Sequence, residues 1–299
     1  MPKTAPHTES LYIIIIKEFY YNKIDYRQFS IIFLQIPFLN PPLYDTLYYK
    51  ITKEMFTLPG YLLHLLEGNL FLQKYDKTLL KDCSDEWKKQ FLIGCLLPDT
   101  AKDKTFSHFR HRLKKKMIFT YPHPEDFAAK YPVSPEHPVL FGYYMHLNLD
   151  YHFLDTILVN SVSLYDENRK PTENWTDMKW AHIHKTGKWV NPLEFFSDDY
   201  MYGDYTTLNA FLISNYSIQI PQLPPSLEDV PDEVNYNDMH EVIEYLQHSI
   251  QSSFDQMKGG SDDTEPPELK VFDWEQLLQL IEKEISRISL LLDNPQHFN

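Results

Sequence analysis

The stretch from Val139 to Asp150, VLFGYYMHLNLD, most constrains what this chain can fold into. It follows Pro138, runs on apolar to Val159, and sets His146 and Asp150 four residues apart. In a helix both side chains project from one face and can grip the same ion. An imidazole beside a carboxylate favours zinc, manganese or iron over calcium, which prefers all-oxygen shells. Gly142, one turn earlier on the stripe, reads as room left beside a metal or substrate. By itself such a pair is more often an ordinary helix face or a hydrogen-bonded core histidine, so its weight depends on finding further donors.

The rest of the chain supplies them. Leu58 to about Leu72 reads as a helix opening at Pro59, with His64 between Gly60 and Gly68 on one stripe. Ser84 to Leu97 reads as a helix capped by Ser84, with Asp85 and Glu86 in its first turn. Pro98 then stiffens a turn that presents Asp99, and Ser107-His108-Phe109 follows. The next segment carries Arg110, Arg112, Lys114, Lys115 and Lys116. That run is by default a solvated face, but beside a metal Arg110 and Arg112 could hold a phosphate. His123 and His137 fall in a proline-rich loop. His182 and His184 alternate as in a strand or exposed loop and are spare candidates only.

Further helices are expected over Tyr200 to Leu212, with Gly203, Asp204 and Tyr205 in a capping turn, over Val234 to Met257, and over Trp274 to Leu292 capped by Asp273. Nearly every long periodic segment is helical, so the expected fold class is all-α. The expected organisation is an N-terminal extension over 1–54, a metal-binding helical core over 55–225 and a C-terminal helical extension over 226–299 packed on that core. Residues 1–54 are crowded with Ile, Tyr and Phe without clean periodicity, which suggests a region upstream of the true start.

Composition narrows the partners. A formal charge of −14 over 299 residues argues against broad binding to nucleic acid or anionic membrane. Two cysteines, Cys83 and Cys95, are too few for a Cys-ligated zinc site or a disulfide framework and read as free thiols in a reducing cytoplasm. No apolar run approaches the roughly 18 residues that span a bilayer.

Taken in order, the donors are His64, Asp99, His108, His146 and Asp150, spaced 35, 9, 38 and 4 residues apart. GCLLPD at 94–99, SHF at 107–109 and GYYMHLNLD at 142–150 resemble the zinc-dependent phospholipase C proteins of bacteria, whose all-helical scaffold is shared with zinc nucleases that cut single strands. The resemblance covers about residues 58–160. It implies that Asp99, His108, His146 and Asp150 ligate one zinc, and that Asp150 bridges to a second zinc held partly by His64. The N-terminal Trp and the downstream His, His and acid that complete the family's centre are not recognisable, so one or two ions are expected rather than three. The activity implied is hydrolysis of a small phosphoester or phospholipid head group, with Asp99 as ligand and general base. A phosphatase or nuclease on the same scaffold, and a non-catalytic helical protein keeping a structural metal, are the alternatives. An HD-type phosphohydrolase needs a contiguous His-Asp pair, and the chain has none.

Overall fold

The computed structural model describes residues 60–75, 78, 80–101, 103–111, 119–174, 176–257 and 266–293, the side chains of 252–257 and 291–293 aside. These residues belong to one compact unit, Phe56–Asn299. The expected extension over 1–54 lies outside the described residues, as do Arg112 and Lys114 to Lys116.

The fold is predominantly helical. In chain order the helices are α1 (Tyr61–Tyr75), α2 (Asp85–Gly94), α3 (Lys104–Ser107), α4 (Pro124–Lys130), α5 (Pro138–His152), α6 (Pro192–Phe195), α7 (Met201–Asn215), α8 (Met239–Met257) and α9 (Trp274–Asp293). Helix α5 is the axis. It is apolar on all sides, and every residue from Pro138 to Asp150 except Tyr144 is buried. A helix without a solvent face must run through the middle of the fold. It continues through a π-helical turn, Phe153–Leu158, and a last α turn, Val159–Ser161, which together span the expected run to Val159.

Helices α1 and α2 pack against α5, and Phe71, Phe91 and Phe141, one from each, meet with ring centroids 5.3 to 5.7 Å apart. Such ring pairs add about 1 kcal/mol each beyond the area they bury. The α2–α5 crossing is closer still, because Gly94 and Gly142 let the two backbones touch. A Cβ on Gly142 would sit 2.1 Å from the Phe91 carbonyl oxygen, and one on Gly94 2.2 Å from that of Val139. This corrects the expectation for Gly142: the space it leaves is filled by α2, not by a metal or substrate. Gly68 likewise faces Leu92 and Cys95, whereas nothing approaches Gly60.

Two further expectations change. The segment after α5 forms a three-stranded antiparallel sheet, β1 (Val162–Tyr165), β2 (Trp180–Ile183) and β3 (Lys188–Val190), in the order β1-β2-β3. The cause is local: Val162, Leu164, Ala181, Ile183 and Val190 alternate inward, a period of two that no helix can bury. Gly187, at φ +67°, makes the turn between β2 and β3. Asp204 does not cap its own helix. It is buried inside α7 and accepts hydrogen bonds from the backbone N–H groups of Lys270, Val271 and Phe272 at 2.7 to 3.0 Å, fastening the segment that leads into α9.

Helix caps follow the sequence. Ser84 accepts from the Trp87 N–H at 3.1 Å, and Asp273 from the Gln276 N–H at 3.1 Å. Helix α9 packs on α1 and α5 through Leu277, Ile281, Ile285 and Ile288, all buried. Helix α9 therefore contributes side chains to the core it packs on.

Candidate metal centre

Each element delivers its donor by local geometry. His64 projects from α1, and Asp99 sits in a 3-10 turn, Leu97–Thr100, that Pro98 opens. His108 closes the short α3, whose Asp103 cap accepts from the Thr105 N–H, while His146 and Asp150 lie on one face of α5. All five side chains converge, and none is more than 5% exposed.

Their spacing is that of a coordination shell. His108 Nε2 lies 3.3 Å from His146 Nε2, 3.1 Å from Asp150 Oδ2 and 3.4 Å from Asp99 Oδ1, and His64 Nε2 lies 3.2 Å from Asp150 Oδ1. Four donors around an ion at bonds near 2.0 to 2.1 Å stand roughly 3.3 Å from one another, the edge of that tetrahedron. His146 Nε2 is a little farther out, 3.8 Å from Asp150 Oδ2 and 4.0 Å from Asp99 Oδ1.

The way these atoms face each other matters as much as the distances. Both nitrogens of His64, both oxygens of Asp150 and Oδ2 of Asp99 are buried and form no hydrogen bond. Buried polar atoms left so cost about 1 to 3 kcal/mol each, and charged ones more. Apart from the 3.3 Å contact between His108 Nε2 and His146 Nε2, these donors crowd together without bonding to one another, as atoms aimed at a shared point do. Among the described residues, His64, Asp99 and His146 form one group able to hold a metal ion, and His108, His146 and Asp150 form another. The groups share His146, so the donor set fits one ion or two.

Surrounding groups orient the ligands. His146 Nδ1–H donates to the Cys95 carbonyl at 2.8 Å, which leaves Nε2 as a free lone pair facing the centre. Its ring stacks on His64 at 3.6 Å. Burial, and then the neighbouring His64, push the His146 pKa down to about 3, so the ring is neutral and fit to ligate. Ser107 Oγ lies 3.0 Å from His108 Nδ1, and the Tyr143 hydroxyl holds the Ser107 carbonyl at 2.6 Å.

Both carboxyls are held ionised. Burial opposes this for Asp150, but His146, His108 and His64 outweigh it and hold the carboxyl well below the usual range. For Asp99 burial is likewise overcome, here by the Lys104 ammonium, which pairs with Oδ1, together with His108 and His146. A carboxylate so hard to protonate is a poor proton acceptor, so its surroundings suit Asp99 to ligation more than to general-base work.

Of the two arginines expected near a phosphate, Arg110 is described. It is partly buried, the charges of Asp150 and Asp99 act on it, and its Nε has no hydrogen-bond partner. Phe109, at φ +54°, makes the sharp turn between it and His108, a backbone state that costs a non-glycine residue about 1 kcal/mol or more. Two residues, Lys104 and Glu67, were not picked out by the sequence. Lys104 escapes because its importance lies in the α3 turn that aims it at Asp99, and that turn is only four residues long. Glu67, one turn after His64, is buried with both oxygens unpartnered, and burial and Glu284 push its carboxyl well up. An acid inside an apolar helix was the available signal. Tyr205, expected chiefly in a capping role and secondarily along the pocket, has a buried hydroxyl without a partner; burial, then Tyr202 and Asp150, raise it well above its ordinary value.

The spare histidines are engaged elsewhere. His184 is held by the Asn160 carbonyl at 2.8 Å and by Ser163 Oγ at 2.7 Å, and His182 stacks on Trp189. His137 pairs with Asp229 at 2.7 Å.

No protein-family model matches the chain, and no curated protein or solved structure does. The site is therefore to be read from its own geometry. Among the described residues no helix is long and apolar enough to cross a membrane.

Proposed function

We propose that the chain is a metal-dependent hydrolase of phosphoester bonds, on a helical scaffold similar to that of the zinc-dependent phospholipase C proteins. The observation that carries this reading is five buried donors at coordination spacing, with the Lys104 ammonium paired to Asp99. His108, His146, Asp99 and Asp150 would hold one zinc ion, and His64 with Asp150 Oδ1 would contribute to a second. Such an ion supplies electrophilic chemistry: it polarises a phosphoryl group and acidifies water.

The protein's own groups do the rest. Asp150 stays ionised among the neighbouring imidazoles, and the Cys95 carbonyl keeps His146 in the tautomer that ligates. Arg110, within the electrostatic influence of Asp150 and Asp99, offers an unpartnered N–H that suits a phosphoryl oxygen. A small phosphodiester or phospholipid head group suits this arrangement better than a long nucleic acid, which the charge of −14 disfavours. A phosphatase or nuclease on the same scaffold is the nearest variant.

The second reading is a structural metal centre, favoured by the near-complete burial of all five donors. A structural shell is closed, whereas a catalytic one keeps a position for water. Elemental mass spectrometry of the purified protein, with turnover of p-nitrophenyl phosphorylcholine and bis-p-nitrophenyl phosphate, separates the two. Zinc-dependent turnover lost in His146→Ala supports the enzyme. Bound metal without turnover of either substrate class leaves the structural centre.

A further inference from the structure

His111, His123 and Asp126 form a second donor group, outside the five-residue centre. One donor atom from each lies within 4.8 Å of the others. His111 Nε2 is 2.8 Å from Asp126 Oδ2, and the rings of His111 and His123 stack at 3.7 Å, only 10° from parallel. Glu125 Oε1 lies 2.8 Å from His123 Nδ1. An ionised carboxylate can only accept, so His123 Nδ1 carries the proton and Nε2 keeps its lone pair. A carboxylate fixing the far nitrogen of a ligating imidazole is the usual arrangement around a metal-bound histidine.

The backbone sets this group up. His123 precedes α4, and the Asp126 N–H donates to its carbonyl at 3.1 Å, so their spacing is that of a helix start. The His123 N–H donates to the His108 carbonyl at 3.2 Å, and His111 comes three residues after His108. Two chain segments thus meet with two imidazoles and a carboxylate on adjoining surfaces.

We propose that His111, His123 and Asp126 bind a divalent transition ion of the borderline class, zinc or nickel, at a site separate from the buried centre. The ion takes the place of the proton between His111 Nε2 and Asp126 Oδ2. His111 and Asp126 are 61% and 47% exposed, so their side chains move apart by a few tenths of an ångström at little cost. Three protein donors leave the remaining positions to water, and exposed side chains lose freedom on binding, so this site is the weaker and faster-exchanging one. Its occupation ties the segment behind His108 to the start of α4. The proposal stands whether or not the buried centre is catalytic.

The test is calorimetric titration of nickel and of zinc into the full chain after the tight metal has been restored. A weak binding phase is expected in the wild type, reduced by more than about 100-fold in affinity in the His111→Ala/His123→Ala double variant. Elemental analysis should show the double variant keeping the tightly held metal, which also reports that it is folded. A weak phase of unchanged affinity in the double variant overturns the proposal, as does the absence of any weak phase in the wild type up to millimolar metal.

Discussion

Two groups of histidine and aspartate lie within a few residues of each other in this chain and differ in almost everything except their chemistry. His108 belongs to a centre whose donors are buried, carried by α1, α2–α3 and α5, and largely unable to satisfy one another. His111 belongs to a group whose members are largely exposed and already hydrogen-bonded at 2.8 Å. The fold meets the desolvation and ordering costs of the buried donors, so an ion bound there would recover them. At the surface the same ligand types must be ordered by the ion itself. Preorganisation, more than donor identity, separates a tight centre from a weak one.

The sharpest way to break that comparison is Asp150→Asn, which takes the charge from the residue whose two oxygens face His64 and His108. Bound metal should fall by more than about 100-fold in affinity, with loss of any turnover, while the surface group is untouched. Elemental analysis of the variant reads the result directly. Retention of tight metal would mean that Asp150 is not a ligand of the tight ion.

Next in size is Gly142→Ala. The new methyl would collide with the Phe91 carbonyl and force α2 from α5, at about 3 kcal/mol, and the shifted Cys95 carbonyl would release His146. Chemical denaturation should show that loss together with weakened metal binding. Gly60→Ala, which meets nothing, serves as the control.

Acidification tests the buried centre. The unfolded chain takes up a proton on His146 near its ordinary 6.5, whereas the folded protein resists until about 3. Stability from this group is therefore complete above pH 6.5 and falls as pH drops through the window from 6.5 to 3, at up to ~1.4 kcal/mol per unit. Asp150 and Asp99, whose carboxyls are depressed, add to the loss below the usual carboxylate range. Metal release follows the same direction, since protons compete for the ligands. Thermal melts of metal-free protein across pH 4 to 8 should show the decline, and its slope should flatten in His146→Gln.

The smallest effect has an unusual sign. Lys104→Met removes the cation that pairs with Asp99 and leaves the centre more negative, so metal should bind tighter by roughly tenfold, although the metal-free protein is less stable. Competition with a chromophoric chelator measures the change. Weaker binding would show that Lys104 positions Asp99 as a ligand rather than screening it.

Much of this was legible in the residues. The i, i+4 pair on an all-apolar helix, the proline before Asp99 and the Ser84 and Asp273 caps depend on interactions within a turn or two of chain, and those the order of residues determines. So does the helical character of most of the protein. What lay beyond reach depended on contacts between distant segments. Gly142 looked like space for a ligand because its packing partner, Phe91 of α2, is fifty-one positions away. Asp204 looked like a local cap because the amides it holds belong to residues 270–272. Lys104 and the meeting of His111 with His123 become visible only when the turn at Phe109 and the backbone bond from His123 to His108 exist. Sequence alone determined which donors could ligate and which helices would carry them. Tertiary structure decided that five of them share one buried centre, because only the close packing of α2 on α5 places Asp99, His108 and His146 within ångströms of each other.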